Sequence, residues 1–105
     1  MNTQTAILDK VRSTMALVMP EGAKLSLFGS QARGDATPES DWDFLLLLNK
    51  SKVEEADYEQ YVYPLVDLGW SLGEYFSVKV YSSADWQLRK GTPFYNNVER
   101  DQIRL

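Results

Sequence analysis

Two short stretches of this sequence hold residue types that can do chemistry together. They are Gly29-Ser30-Gln31-Ala32-Arg33-Gly34 and, after five further residues, Ser40-Asp41-Trp42-Asp43-Phe44. A strand that ends in Gly-Ser and opens into a short helix leaves backbone N–H groups unpaired. Such a turn accepts an anion, with room at the glycine for a phosphate to approach closely. The Ser30 hydroxyl adds a donor. Asp41 and Asp43 stand two residues apart, so on an extended strand they project on one face about 6.6 Å apart. A carboxylate pair of this kind suits a hard divalent cation, which takes oxygen ligands and completes its shell with water and phosphate oxygens. Arg33 can pair with a phosphate oxygen; equally, at the end of a short helix, it can cap carbonyls or pair with Asp35. The chemistry these residues point to is displacement at a phosphate. There a cation neutralises charge on a pyrophosphate leaving group, and a second metal or a base readies the attacking hydroxyl.

The flanking segments are those needed to position such a site. Ile7, Val11, Met15 and Val18, with Leu8 beside them, predict an amphipathic first helix over Thr3 to Met19 that Pro20 stops. Lys24 to Phe28 alternates polar and apolar residues and reads as a strand running into the Gly-Ser turn. Gly34 to Ser40 is a surface loop. Trp42 to Leu48 carries the run Phe44-Leu45-Leu46-Leu47-Leu48, which predicts a strand buried on both faces and central in its sheet. Ser51-Lys52-Val53-Glu54 has the spacing of a capping box, and Tyr58 to Leu72 continues at helical period. Pro64 either kinks that helix or sits in the first turn of a restarted one. Tyr75 to Tyr81 alternates again, with Val78 and Val80 on one face and Lys79 on the other. Two short helices, the second started by Thr92-Pro93, and a strand at Ile103-Arg104-Leu105 complete an α/β (α+β) arrangement, a mixed sheet flanked by helices.

Composition narrows the alternatives. The 105 residues fit one domain over 1–105, and 44% hydrophobic with 25% charged residues is ordinary for a globular protein. Eleven basic against fifteen acidic residues give a net charge of -4, a field that argues against broad nucleic-acid binding. Cysteine and histidine are both absent, which removes thiolate chemistry, disulfides and the commonest general base. No apolar run has the length of a membrane span and the N-terminus has no signal-like pattern, so a cytoplasmic protein without membrane association is expected. Trp42, Trp70, Trp86, Phe94 and Tyr95 read as packing residues, and Lys52, Arg89, Lys90 and Arg100 as solvated surface charges.

The segment from Gly29 to Leu48, about a fifth of the chain, resembles the minimal nucleotidyltransferase domains of the DNA polymerase beta-like superfamily. Its pattern is Gly-Ser, two residues, Arg-Gly, a short loop, then Ser-Asp-x-Asp before an apolar strand. The resemblance implies a palm-like mixed sheet, a nucleoside triphosphate such as ATP contacted by Gly29, Ser30 and Arg33, and magnesium or manganese held by Asp41 and Asp43 as catalytic ligands. It also implies a third carboxylate on the following strand, where this sequence has Lys79. Beside two aspartates, that ammonium takes the place and charge of a second cation and modulates metal occupancy. Glu74 replaces the missing acid only in a different strand register. Two functions follow. One is transfer of a nucleoside monophosphate to a hydroxyl acceptor. The other is a catalytically impaired nucleotide-binding or protein-interaction module. For either, the resemblance implies a second protein, a HEPN-type helical partner as in toxin–antitoxin pairs, or a homodimer.

Overall fold

A computed structural model describes residues 3–105. Among the described residues four strands form one mixed sheet in the order β3-β2-β1-β4, built from β1 (Lys24–Phe28), β2 (Trp42–Leu48), β3 (Phe76–Ser82) and β4 (Ile103–Arg104). β1 runs antiparallel to both β2 and β4, and β2 runs parallel to β3. The leucine run of β2 therefore lies centrally, as its unbroken apolarity predicts, with Phe44, Leu45, Leu46 and Leu48 all buried.

Alternation along the strands divides the side chains between two cores. Leu25 and Leu27 of β1, Trp42, Phe44, Leu46 and Leu48 of β2, and Phe76 of β3 face one side. There they meet Ile7, Leu8, Val11 and Met15 of helix α1 (Thr3–Ala16) and Leu65 of helix α4 (Tyr63–Ser71). On the other side Leu45 packs with Trp86 of α5 (Ser83–Leu88) and Val98 of α6 (Pro93–Asp101). Phe28, Leu47, Tyr81 and Tyr95 surround that smaller cluster. The starts of α5 and α6 follow local chemistry. The Ser82 hydroxyl accepts from the Asp85 amide at 3.0 Å, and the Thr92 hydroxyl accepts from the Tyr95 amide at 3.2 Å.

Two boundaries differ from the sequence expectation, and the choice left open at Pro64 falls to a restarted helix. α1 ends at Ala16, and the amides of Leu17 and Val18 turn back to the carbonyls of Thr14 and Met15, a tightening before Pro20 that leaves Val18 37% exposed. The capping box sits three residues later than Ser51-Lys52-Val53-Glu54. Glu54 caps helix α3 (Glu55–Asp57), and its amide donates to the Asp57 carboxylate at 2.8 Å. A π-helical turn, Tyr58–Val62, then leads into α4 with Pro64 in the first turn. Pro64 has no N–H to give the preceding turn, so a widened turn followed by a fresh start accommodates it. No helix among the described residues is long and apolar enough to cross a membrane.

α4 meets the sheet closely at Gly69, where a Cβ would lie 2.6 Å from Cγ of Phe76. The Phe76 ring is itself held by Phe44 and Trp42, with centroids 4.9 and 6.2 Å away, and has little freedom to yield. Gly69→Ala is therefore expected to lower stability by up to about 2 kcal/mol in urea unfolding. Overpacking costs ~1–3 kcal/mol, more than the ~1 kcal/mol that alanine returns in helix propensity. A variant more stable than the parent contradicts this packing.

Candidate active site

The candidate site forms where β1 ends beside the start of β2. Phe28 closes β1 in extended conformation, and Gly29 then turns to φ +75°, a conformation L side chains rarely adopt, to start the short helix α2 (Gly29–Arg33). No side chain caps this helix, so its first-turn amides are not satisfied in that way. The Ser30 hydroxyl has no hydrogen bond among the described residues. Gln4 of α1 donates to the Gln31 carbonyl at 2.7 Å, fastening α2 to the first helix.

Register brings the Asp43 carboxylate to this turn. Phe28 lies opposite Asp43, and a Cβ at Gly29 would collide with Oδ2 of Asp43, so only a glycine lets turn and carboxylate stand this close. Asp41 precedes β2 by one residue and is exposed, whereas Asp43 is half-buried. Burial, and then the Asp41 charge, push the Asp43 carboxyl above its ordinary value, against the opposing fields of Lys79 and Arg33. The sheet thus concentrates negative charge at a partly desolvated point beside unpaired amides, an arrangement that gains from a cation.

β3 contributes from the other side. Ser77 is level with Asp43 and Lys79 with Leu45, so both share the Asp43 face of the sheet, while Val78 and Val80 pack against the larger core. Lys79 makes no ion pair with either aspartate among the described residues; its charge acts on Asp43 through space. Glu74 is committed elsewhere. Its Oε2 accepts from the indole N–H of Trp42 at 3.2 Å, and Trp42 belongs to the opposite face. Among the described residues no group of three or more Asp, Glu, His or Cys is placed to share a metal.

Arg33 resolves into a surface arrangement with both neighbouring acids. Its Nε donates to Asp35 at 3.2 Å and its Nη1 to Asp101 of α6 at 3.3 Å. Arg100, at 2.9 Å, and Arg33 together hold the Asp101 carboxyl below its ordinary value. Ser77 and Asp101 were not marked by the sequence. Ser77 needs the parallel register to be known, and Asp101 lies 68 residues from the arginine it meets. Of the aromatic residues read as packing, Trp42 and Trp86 are buried, but Trp70 is 66% exposed. Its neighbours on α4, Leu65 and Gly69, take the buried face.

Because Asp43 holds its proton more tightly when folded than when unfolded, that proton stabilises the fold in acid. The advantage disappears as pH rises through the raised folded value. In the presence of a chelator, Asp43→Asn is expected to melt above the parent near pH 7, and the difference should shrink on lowering the pH to about 4. Thermal melts of both proteins across that range give the answer; a parent that melts higher near pH 7 contradicts the assigned desolvation.

In sequence, the family described as Nucleotidyltransferase domain matches residues 8–96, from within α1 into α6. No functionally curated protein matches the chain. Among solved structures, a Sulfolobus solfataricus protein described as a candidate nucleotidyltransferase superposes with a TM-score of 0.58 and 18% identity, over 96% of this chain and 78% of that one. A toxin–antitoxin structure with AMP-PNP superposes with a TM-score of 0.54 and 19% identity, over 98% and 72%. At such identities the likeness is one of fold, and the fold is the palm-like mixed sheet flanked by helices. With a family match over most of its length and the Gly-Ser turn set against paired aspartates, the chain belongs to the nucleotidyltransferase domain family.

Proposed function

We propose that this chain is a nucleotide-binding, antitoxin-like member of its family. In this reading it holds a nucleoside triphosphate with one divalent cation and works on a partner protein, with transfer chemistry impaired. The observation that carries the reading is Lys79, a cation on the Asp43 face of the strand where a third acid would stand. The donor set suits one magnesium or manganese ion. Asp41 and Asp43 would hold it, with triphosphate oxygens and water completing the shell, and it would neutralise phosphate charge. Gly29 and Ser30 would receive phosphate oxygens. Arg33 would take part by exchanging one of its two carboxylate partners for phosphate. Among the described residues a second cation has no comparable donors, and the ammonium of Lys79 opposes it electrostatically.

The similarity to a toxin–antitoxin structure with AMP-PNP supports both the nucleotide and the partner in this reading. A HEPN-type helical protein is the partner proposed, in a cytoplasmic setting. A second reading, full nucleotidyl transfer to a hydroxyl acceptor, is favoured by Asp43 standing against Gly29 with Asp41 two residues before it in the chain.

Two measurements test the site and separate these functions in turn. Calorimetric titration of the Asp41→Asn, Asp43→Asn double variant should show magnesium-dependent triphosphate affinity reduced by at least about tenfold, with far-UV circular dichroism unchanged. Undiminished affinity refutes the carboxylate assignment. Label transfer from each radiolabelled triphosphate to candidate partner proteins should be weak for the parent and rise in Lys79→Asp, because an added carboxylate gives a second cation its donor. Strong transfer by the parent that Lys79→Asp leaves unchanged establishes the second reading.

A further inference from the structure

Among the described residues the longest unpaired backbone edge of the sheet is that of β3, seven residues from Phe76 to Ser82. The Trp42 amide donates to the Tyr75 carbonyl at 2.9 Å. Bonded residues of a parallel ladder alternate, so Tyr75, Ser77, Lys79 and Tyr81 turn their backbone groups toward β2. The N–H and C=O groups of Phe76, Val78 and Val80 then point outward along the free side.

What borders that side is not a blank surface. Along the C-terminal half of β3 runs a groove of about 450 Å³ whose walls include Lys52 and Val53 from the segment after β2, Val80, Ala84 and Leu88, and Asp85, whose carboxylate is paired with Arg89 at 3.6 Å. Leu88 is 84% exposed, an unusual state for a leucine at the rim of a groove. At the N-terminal end of the edge stand Trp70 and Tyr75, 66% and 55% exposed, packed edge to face with centroids 6.2 Å apart. Native proteins usually cover, shorten or charge such edges. Here the charge is Lys79, and with Lys52 it forms no ion pair among the described residues.

We infer that the free edge of β3 docks an extended acidic segment of a partner protein, which adds to the sheet as a further strand and sets a side chain into the adjoining groove. Unpaired main-chain groups supply affinity without regard to sequence, and flanking pockets read alternate side chains of the added strand. The two unpaired lysines select carboxylates, and in a wet surface site their reach is short enough to act against the net charge of -4. A second copy of this chain fits less well. The antiparallel self-pairing that overlaps all of β3 sets Lys79 directly opposite Lys79 of the other copy, a repulsive cross-strand pair. The inference stands apart from the triphosphate reading. The two meet only in that a residue opposite Lys79 on the added strand shares the Asp43 face.

The test is to pan a random display library of peptides about ten residues long, enough to span this edge, against the whole chain without nucleotide. Enriched peptides should alternate apolar residues and carry Asp or Glu among the residues between them. Methylating alternate backbone amides of a winning peptide should weaken it at least about tenfold, since the side chains stay and only the ladder is lost. Val78→Pro should do the same while the protein keeps its circular dichroism spectrum, because the amide removed faces outward and proline is tolerated on such an edge. Should that variant fail to fold, the methylated peptides decide alone. Panning that enriches nothing, or peptides whose binding survives methylation, overturns the inference. A parent that sediments as a dimer and becomes a monomer in Val78→Pro also overturns it, in favour of self-pairing.

Discussion

The contact between Gly29 and the carboxylate of Asp43 is the constraint on which the site depends. It fixes three things together: the left-handed turn that starts α2, the antiparallel register of β1 against β2, and the distance at which a partly desolvated carboxylate faces unpaired amides. A side chain at residue 29 would require strained backbone and the space Asp43 already fills. Slipping the register by one residue would send Asp43 into the larger core and bring Trp42 to the turn. The two cores on either side of the sheet resist that slip, since each strand of the central pair is apolar on its inner face.

The molecule uses the two faces of its sheet unequally. The face toward α1 and α4 is a continuous apolar core, and its tightest point, Gly69 against Phe76, leaves no room for adjustment. The opposite face is apolar only where α5 and α6 cover Leu45 and Trp86. Beyond that cluster it carries Asp43, Ser77 and Lys79, groups that a helix packed over them would have to pair or desolvate at high cost. Leaving this end of the sheet uncovered is what allows a polar site to exist on a small fold.

Lys79 links the chemical and the architectural features. On the Asp43 face its charge opposes cation binding beyond what two aspartates can hold, and along the chain it lies midway on an unpaired edge. The C-terminal segment contributes at the other margin. Asp101 draws Arg33 toward α6, while Gln102 and Arg104 reach the buried hydroxyl of Ser26 at 2.7 and 3.2 Å, so the far side of β1 is finished by the last residues described.

Much of this was legible in the sequence because it depends on local periods and caps. The alternation of β1 and β3, the unbroken leucines of β2 and the cap at Thr92 each follow from a few adjacent residues. Parity alone also separated Lys79 from Val78 and Val80, and set Glu74 apart from the aspartates. The tertiary structure decided what depends on residues far apart in the chain. It made Ser77 the neighbour of Asp43, gave Glu74 to the Trp42 indole, turned Arg33 to Asp101, and buried Ser26, whose place in an alternating strand predicts exposure. It also left β3 on an edge. Period specifies which way a side chain points from its own strand, but register and strand order, which decide what it meets, come from packing among segments that no local pattern connects.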